Sequence, residues 1–251
     1  MKNTLFAAVV AFTFSTAFAQ DRTTNKKDSK IVFSEVKEAK GTTVKDQFQT
    51  STCWIFSTHS FLESEFIRQG KGEIDLSEMW IVRVGYIEKA KRYMRLMGKG
   101  QFSPGGEAID VITLAGQYGL MPQSAYVGNP IGEDKIRHKE MDAVLKAMLD
   151  AQLTLPEGKL SPNWLNAFIG ALDGYLGAPP VKFDYNGKQY DAKSFSAFLG
   201  FKPEDYVTIT SFTHHPFYTR FVLEIPDNWA AESFYNVSLD ELTTVTDNAT
   251  A

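Results

Sequence analysis

The chain has 251 residues, 43% of them hydrophobic and 13% aromatic, a composition typical of a globular protein that buries a sizeable core in one or two domains. Its formal net charge of −4, without a cluster of Lys and Arg between aromatic residues, argues against nucleic-acid binding. A single cysteine excludes a disulfide within the chain.

Residues 1–19 have the pattern of a secretory signal peptide. Lys2 precedes an apolar run from Leu5 to Phe14, and Ala17-Phe18-Ala19 supplies the small residues of a cleavage site before Gln20. The run is too short for a membrane span, and no later segment is apolar for the roughly 20 residues that a span needs. We therefore expect an exported protein, located in a bacterial periplasm or outside the cell, with no membrane span.

Helical periodicity begins after a leader at residues 20–43, whose polar start is expected to be flexible. Four apolar residues at helical spacing predict a helix from Cys53 to Arg68: Trp54, Phe61, Leu62 and Phe66. Thr50, Ser51 and Thr52 precede this helix as candidate N-caps. Cys53 is thus expected in the first turn, where unpaired backbone N–H groups stabilise an anion. This position favours the thiolate, which is the nucleophilic form of cysteine.

Gln47 stands six residues before the cysteine and can donate its amide N–H toward a carbonyl oxygen under attack. A lone cysteine beside Trp54 and Phe56 is more often a small buried hydrophobic residue when no other signal is present. An unpaired cysteine in an exported chain, however, favours a reactive thiol. The spacing of Gln47 and Cys53 supports that second interpretation.

Three further patterns follow in chain order. Leu76-Ser77-Glu78-Met79 predicts the start of a second helix that reaches about Met97. Pro104-Gly105-Gly106 leads into a third helix from Ala108 to Tyr118, and Tyr126 follows Gly119. Each pattern alone is only an N-cap or a turn. In register with Gln-x5-Cys-Trp, they resemble the papain-like cysteine peptidases over residues 44–126.

This resemblance implies an α+β papain-like fold whose helical half, residues 44–126, carries the nucleophile. It implies that Cys53 attacks the scissile carbonyl and that Gln47 lines the oxyanion hole. Three residues are then expected to contact the substrate: Gly105, Gly106 and Trp54. Peptides are the implied substrates, and neither a cofactor nor a metal is implied.

Two departures from the papain pattern indicate a branch of the family. Thr50-Ser51-Thr52 stands where secreted endopeptidases have a disulfide-bonded cysteine and a glycine, and the stretch between Gln20 and Cys53 is too short for an inhibitory prodomain. Both departures, with a helical insertion after Tyr126, resemble the bleomycin hydrolase and aminopeptidase C branch. Its members remove N-terminal residues from peptides, and their full-length forms are homo-hexamers.

Residues 127–251 are expected to hold inserted helical and β segments and the start of a second half. An amphipathic helix is predicted from Glu133 to Gln152, with five inward residues: Ile136, Val144, Leu145, Met148 and Leu149. Ser161-Pro162 is expected to cap the next helix, whose inward residues are Leu165, Phe168, Ile169, Leu172 and Leu176. Both apolar stripes indicate core packing.

Shorter elements follow. Phe183 to Tyr190 is predicted to be a hairpin with an Asn186-Gly187 turn. A short helix is expected from Ser194 to Leu199, and strands from Val207 to Phe212 and from Arg220 to Ile225. The residues from Tyr235 to Ala249 resemble the family's helix that enters the second half. They include two glycosylation sequons, at Asn236 and Asn248, which we discount for a bacterial protein.

A thiol peptidase also needs an imidazole base and an Asn or Asp that orients it. His59 falls about 120° around the helix from Cys53 and is expected to have a packing or a surface role. His138 is expected to be solvated, and His214-His215-Pro216 to form a turn. Neither the family's late His nor its Asn-Ser-Trp segment is found in this sequence. Asn228-Trp229 is similar to that segment but lacks the serine. We therefore expect the chain to stop before its catalytic partner and to be inactive alone.

Three functions remain open from the sequence. The first is the nucleophile-bearing part of an exported cysteine aminopeptidase. The second is a non-catalytic, peptide-binding relative of the same fold. The third is a complete enzyme that uses His214 or His215 as its base.

Overall fold

The computed structural model describes residues 22–23, 30, 32–33, 39–155 and 159–250. The predicted signal peptide and most of the predicted leader lie outside these residues. The chain divides into two compact units, residues 1–39 and 40–251. In the first unit, β1 (Arg22–Thr23) pairs antiparallel with β2 (Val32–Phe33).

The second unit contains the remaining elements. Its helices are α1 (Cys53–Arg68), α2 (Glu78–Arg95), α3 (Ala108–Tyr118), α4 (Lys139–Leu153), α5 (Trp164–Leu176), α6 (Ala192–Leu199) and α7 (Leu239–Thr250), with a short 3₁₀ turn at Pro203–Asp205. Its strands are β3 (Phe183–Tyr185), β4 (Lys188–Tyr190), β5 (Ile209–Thr210), β6 (Arg220–Val222) and β7 (Ser233–Asn236). The architecture is α+β, as the sequence predicts.

Helix α2 is the centre of the core, because it packs against α1, α3, α4 and α5. Ser77 starts this helix by accepting a hydrogen bond from the Trp80 N–H at 3.1 Å. Its buried positions recur around most of the helix, and Ile81 and Ala90 are fully buried. Within the described residues, no helix is long and apolar enough to cross a membrane.

The predicted bounds of α1 and α3 are confirmed to the residue, and α2 ends at Arg95, just before the predicted Met97. One predicted inward residue is wrong, because Val144 is 38% exposed. Phe61, one of the apolar residues whose spacing predicts α1, is 55% exposed and packs edge-on against Tyr206. Helical spacing places a residue on a face but does not decide how far the neighbouring elements extend over that face.

Helix α4 begins at Lys139 and not at the predicted Glu133. The residues before it pair instead with the loop that precedes α1: the Gln49 N–H donates to the Ile136 carbonyl at 3.3 Å, and the His138 N–H donates to the Gln49 carbonyl at 3.2 Å. His138 consequently caps α4 and is only 2% exposed. The expectation that His138 is solvated is wrong, because this pairing holds it inside.

The predicted hairpin is confirmed, with β3 and β4 joined by Asn186 at φ 50° and Gly187 at φ 76°, both left-handed. The second sheet has the order β5-β7-β6, with β7 parallel to β5 and antiparallel to β6. Strand β7 was not predicted, since the terminal helix was expected to include Tyr235. That helix begins at Leu239.

Candidate active site

Cys53 is the first residue of α1, and it is exposed. Thr52 occupies the N-cap position, but its hydroxyl bonds to the Thr50 hydroxyl at 2.7 Å and not to a helical N–H. The expected side-chain cap is therefore wrong. Within the described chain no group accepts a hydrogen bond from the Cys53 N–H, so this donor at the helix N-terminus is available to a ligand.

Gln47 lies against the residue that precedes the cysteine. Its side-chain oxygen accepts a hydrogen bond from the Thr52 N–H at 3.0 Å. An amide carries its acceptor and its donors on opposite branches, so the bond to Thr52 leaves the Gln47 NH₂ directed elsewhere. Gln47 and Cys53 line one cleft of about 350 Å³. The sequence-predicted pair is thus brought together.

The loop between Gln47 and Cys53 has an unusual backbone. Phe48 and Ser51 have φ angles of 46° and 56°, in the left-handed region that non-glycine residues rarely occupy. The Phe48 N–H donates to the Asp46 carboxylate at 2.8 Å, and Gln49 is held by its pairing with residues 136–138. Such strain persists only where surrounding contacts over-determine it, and it is common at functional sites.

Lys45 lies on the wall of the same cleft and binds three carboxylates, two of which, from Glu63 and Glu78, also line the cleft. The Lys45 ammonium lies 3.0 Å from Glu63, 2.6 Å from Asp75 and 2.7 Å from Glu78. It also donates to the Leu76 carbonyl at 3.1 Å. Glu63 and Glu78 are buried, and Glu63 accepts a further bond from the Leu76 N–H at 2.8 Å. Lys45 therefore ties the chain before Gln47 to α1 and to the start of α2.

The pKa values of this cluster follow from its geometry. Burial alone would lower the pKa of Lys45, but Glu78 and the hydrogen bonds to the three carboxylates raise it above its ordinary value. Burial alone would raise the pKa of Glu78, but His59 and Lys45 outweigh it and the pKa is lowered. The charged states are therefore favoured, and the cluster is a structural ion-pair network.

The predicted substrate contacts lie around the indole of Trp54. Trp54 is 8% exposed, and its indole N–H donates to the Pro104 carbonyl at 2.9 Å. A Cβ atom on Gly106 would lie 2.8 Å from the ring, so only glycine fits there without movement. Neither Gly105 nor Gly106 is among the residues that line the cleft of Cys53. The role of all three in substrate binding stays a prediction, and Trp54 would act by supporting the glycines.

Two of the four histidines are buried in structural positions. His59 is 1% exposed with its Nδ1 atom 3.6 Å from a Glu78 oxygen, which confirms a packing role. Burial lowers the pKa of His138 to about 4. Among the described residues that line the cleft of Cys53, none is a histidine.

The other candidates for base and orienting residue lie on turns. The ring of His215 stacks on Phe221 at a centroid distance of 3.9 Å, and the ring of His214 lies 4.4 Å from that of His215. The Asn228 amide closes a turn through bonds to Leu223 and Glu232. In the described part of the chain, no group of three His, Cys, Asp or Glu side chains is arranged to hold a metal ion.

Comparisons with known proteins bear on the fold. No protein-family model matches the sequence, and no curated protein matches it. Among solved structures, PepW from Lactobacillus rhamnosis HN001, determined as a selenomethionine derivative, superposes with a TM-score of 0.61 at 19% identity. The match covers 80% of this chain and 55% of PepW, so the chain spans about half the length of that protein. At this identity the likeness concerns the fold alone, and it fits the papain-like α+β fold that the sequence predicts.

Proposed function

We propose that this chain carries the nucleophile and the oxyanion hole of an exported cysteine-type peptidase that removes N-terminal residues from peptides. The observation that carries the proposal is the convergence of two elements on one cleft. Cys53 stands exposed at the start of α1 with its N–H available, and Gln47 is anchored beside it through Thr52. Both groups are donors to an oxygen that becomes negative next to the sulfur.

The chemistry assigned to these residues is acyl transfer. The Cys53 sulfur forms a bond to the scissile carbonyl carbon, and the carbonyl oxygen takes the negative charge. The Cys53 N–H and the Gln47 NH₂ stabilise that oxyanion. Collapse of the intermediate breaks the C–N bond, and the leaving amine takes a proton from solvent water. A second water then attacks the thioester carbonyl, which releases the carboxylic acid and restores the Cys53 thiol.

Proton transfer is the step for which the described residues of this cleft offer no histidine. General-base and general-acid catalysis is typically worth about 10²–10⁴-fold. Since no described histidine lines the cleft, we expect residues 1–251 by themselves to hydrolyse aminoacyl substrates little. Formation of a covalent adduct at Cys53 is therefore a better test than turnover.

The proposal is tested with a leucine-based aldehyde that has a free amino group. Its carbonyl should form a hemithioacetal with Cys53, and the resulting oxygen should occupy the oxyanion hole. We expect Cys53→Ser to abolish binding and Gln47→Ala to weaken it by about tenfold or more. Alkylation by iodoacetamide creates no oxyanion, so Gln47→Ala should leave its rate unchanged. Gln49→Ala is the matched control, because Gln49 is an exposed glutamine of the same loop.

The outcomes separate the remaining functions. Aldehyde affinity that is equal in the Gln47→Ala and Gln49→Ala variants would remove the oxyanion hole from the proposal. Peptide binding that is the same in wild type and in Cys53→Ser, without an aldehyde adduct, would favour the non-catalytic relative. The absence of a histidine among the described residues of the cleft supports the same alternative. Turnover lost in His214→Ala or His215→Ala would favour a complete enzyme. An N-acetylated aldehyde that binds as well as the free amine would argue against an aminopeptidase.

A further inference from the structure

A lysine is buried beneath the two glycines. Lys89 of α2 is 2% exposed, and its ammonium donates to the Ser103 carbonyl at 2.8 Å and to the Gly105 carbonyl at 2.5 Å. No carboxylate of the described chain forms an ion pair with it. Asp110, Asp227 and Asp142 attract it only from beyond ion-pair distance. Burying an ammonium that no carboxylate contacts is costly, so the position is unusual for a lysine with no role beyond packing.

Aromatic rings surround this ammonium where a carboxylate would be expected. It lies 5.2 Å from the ring of Trp54, 5.8 Å from that of Tyr86 and 5.4 Å from that of Trp229. Cation–π attraction of this kind compensates part of the lost hydration. The rings also limit where the ammonium can lie, and they keep it beneath the segment from Ser103 to Gly105.

The direction of the Gly105 carbonyl fixes that of the next N–H. The chain has no cis peptide bond in its described part, and in a trans peptide the C=O and N–H groups point in opposite directions. Because the Gly105 carbonyl points to the buried Lys89, the N–H of Gly106 points away from it. This N–H has no acceptor among the described residues, and Gly106 is half-buried.

We propose that Lys89 is a positioning residue that holds and polarises the Gly105–Gly106 peptide, so that the Gly106 N–H is presented to a main-chain carbonyl of a bound peptide. The inference rests on the proposed function. A charge-assisted bond is about twice as strong as a neutral one, and it polarises the amide whose oxygen it binds. Lys89 does not touch the substrate and acts through the glycine backbone.

The test compares Lys89→Met with Lys91→Met in a Cys53→Ser background. Lys91 lies on the same helix and pairs with Glu88 at the surface. Two quantities are measured: the amide proton chemical shift of Gly106, and the affinity for the unblocked tetrapeptide Ala-Leu-Ala-Ala amide. In Lys89→Met the Gly106 resonance should move upfield and the affinity should fall about tenfold. Lys91→Met should change neither.

Two results overturn the inference. One is a Gly106 resonance and a peptide affinity that are the same in Lys89→Met and in its parent. The other is a parent that binds no peptide. The aldehyde adduct at Cys53 then decides separately whether the proposed function also fails, so the two failures are distinguishable.

A titration of the protein without the lysine substitution covers the case in which Lys89→Met does not fold. Burial lowers the pKa of Lys89 to about 8, against the attraction of Asp110, Asp227 and Asp142, and Tyr86 also faces the ammonium. The Gly106 shift should follow the loss of the Lys89 proton. The same change in the Gly106 shift should occur in Asp110→Asn. This control shows that the change does not report the titration of the Asp110 carboxyl, whose pKa burial raises to about 7. A shift that is flat through this range contradicts the inference.

Discussion

Replacing Lys45 with methionine removes the cation that holds the cleft wall together. Methionine has a similar length and no charge, so the substitution leaves Glu63 and Glu78 buried without the ammonium at 3.0 and 2.7 Å. Removing one partner of a buried ion pair costs about 3–5 kcal/mol, because an uncompensated charge stays in the interior. Lys45 is itself partly exposed, so we expect a loss of about 3 kcal/mol in the free energy of unfolding.

The assay is urea unfolding followed by tryptophan fluorescence at neutral pH, with the melting temperature as a second measure. For a domain of this size, a loss of 3 kcal/mol corresponds to a decrease of about 6–12 °C in Tm. Lys146→Met is the matched control, because Lys146 forms an exposed i,i+4 pair with Asp150 at 2.7 Å. Such a pair is worth about 0.3–0.5 kcal/mol.

A second substitution makes the test sharper. Glu78→Gln in the Lys45→Met background removes one of the two buried carboxylates that Lys45 no longer compensates. The double variant should therefore recover part of the free energy of unfolding that Lys45→Met loses. The reasoning is refuted if Lys45→Met and Lys146→Met unfold at the same urea concentration. It is also refuted if Glu78→Gln lowers the free energy of unfolding as much in the Lys45→Met background as it does in wild type.

Three further predictions concern two buried side chains and one half-buried glycine. Burial raises the pKa of Asp110 to about 7, so the folded protein holds a proton that the unfolded chain releases, and stability falls as pH rises toward 7. Relative to wild type, Asp110→Asn should gain about 2–3 kcal/mol between pH 5 and pH 8, measured by urea unfolding at both values. Asn236→Ala should cost about 2–4 kcal/mol in the same assay, since its buried amide bonds to four backbone groups of the neighbouring loop. Gly106→Ala should cost about 1–3 kcal/mol by crowding the indole of Trp54, whereas Gly170→Ala, in open space on α5, should not lower Tm.

The sequence predicted the elements whose signals are local. The bounds of α1 follow from apolar spacing after Cys53, and the N-terminus of α2 follows from a cap at Ser77. The hairpin turn follows from Asn186-Gly187, which tolerates the left-handed φ angles. In each case the deciding interactions lie within a few residues, so a short window of sequence contains them.

The same holds for the core of the candidate site. Gln47 and Cys53 are close in sequence, and a helix N-terminus after a short loop brings their side chains to one cleft. The left-handed backbone at Phe48 and Ser51 was not predicted, because neither residue type favours it. The pairing of Gln49 with residues 136–138, which helps to hold that loop, joins segments that are far apart in the chain.

The sequence by itself therefore determined where the helices between residues 44 and 126 begin and which residues are candidates for nucleophile and oxyanion hole. Only the tertiary structure decided which charges are buried and which residues they meet. Lys45 reaches carboxylates 18 and 33 residues away, and Lys89 reaches a carbonyl 16 residues away. The energy of such contacts depends on burial and on distances set by how helices pack, and no spacing along the chain encodes either quantity.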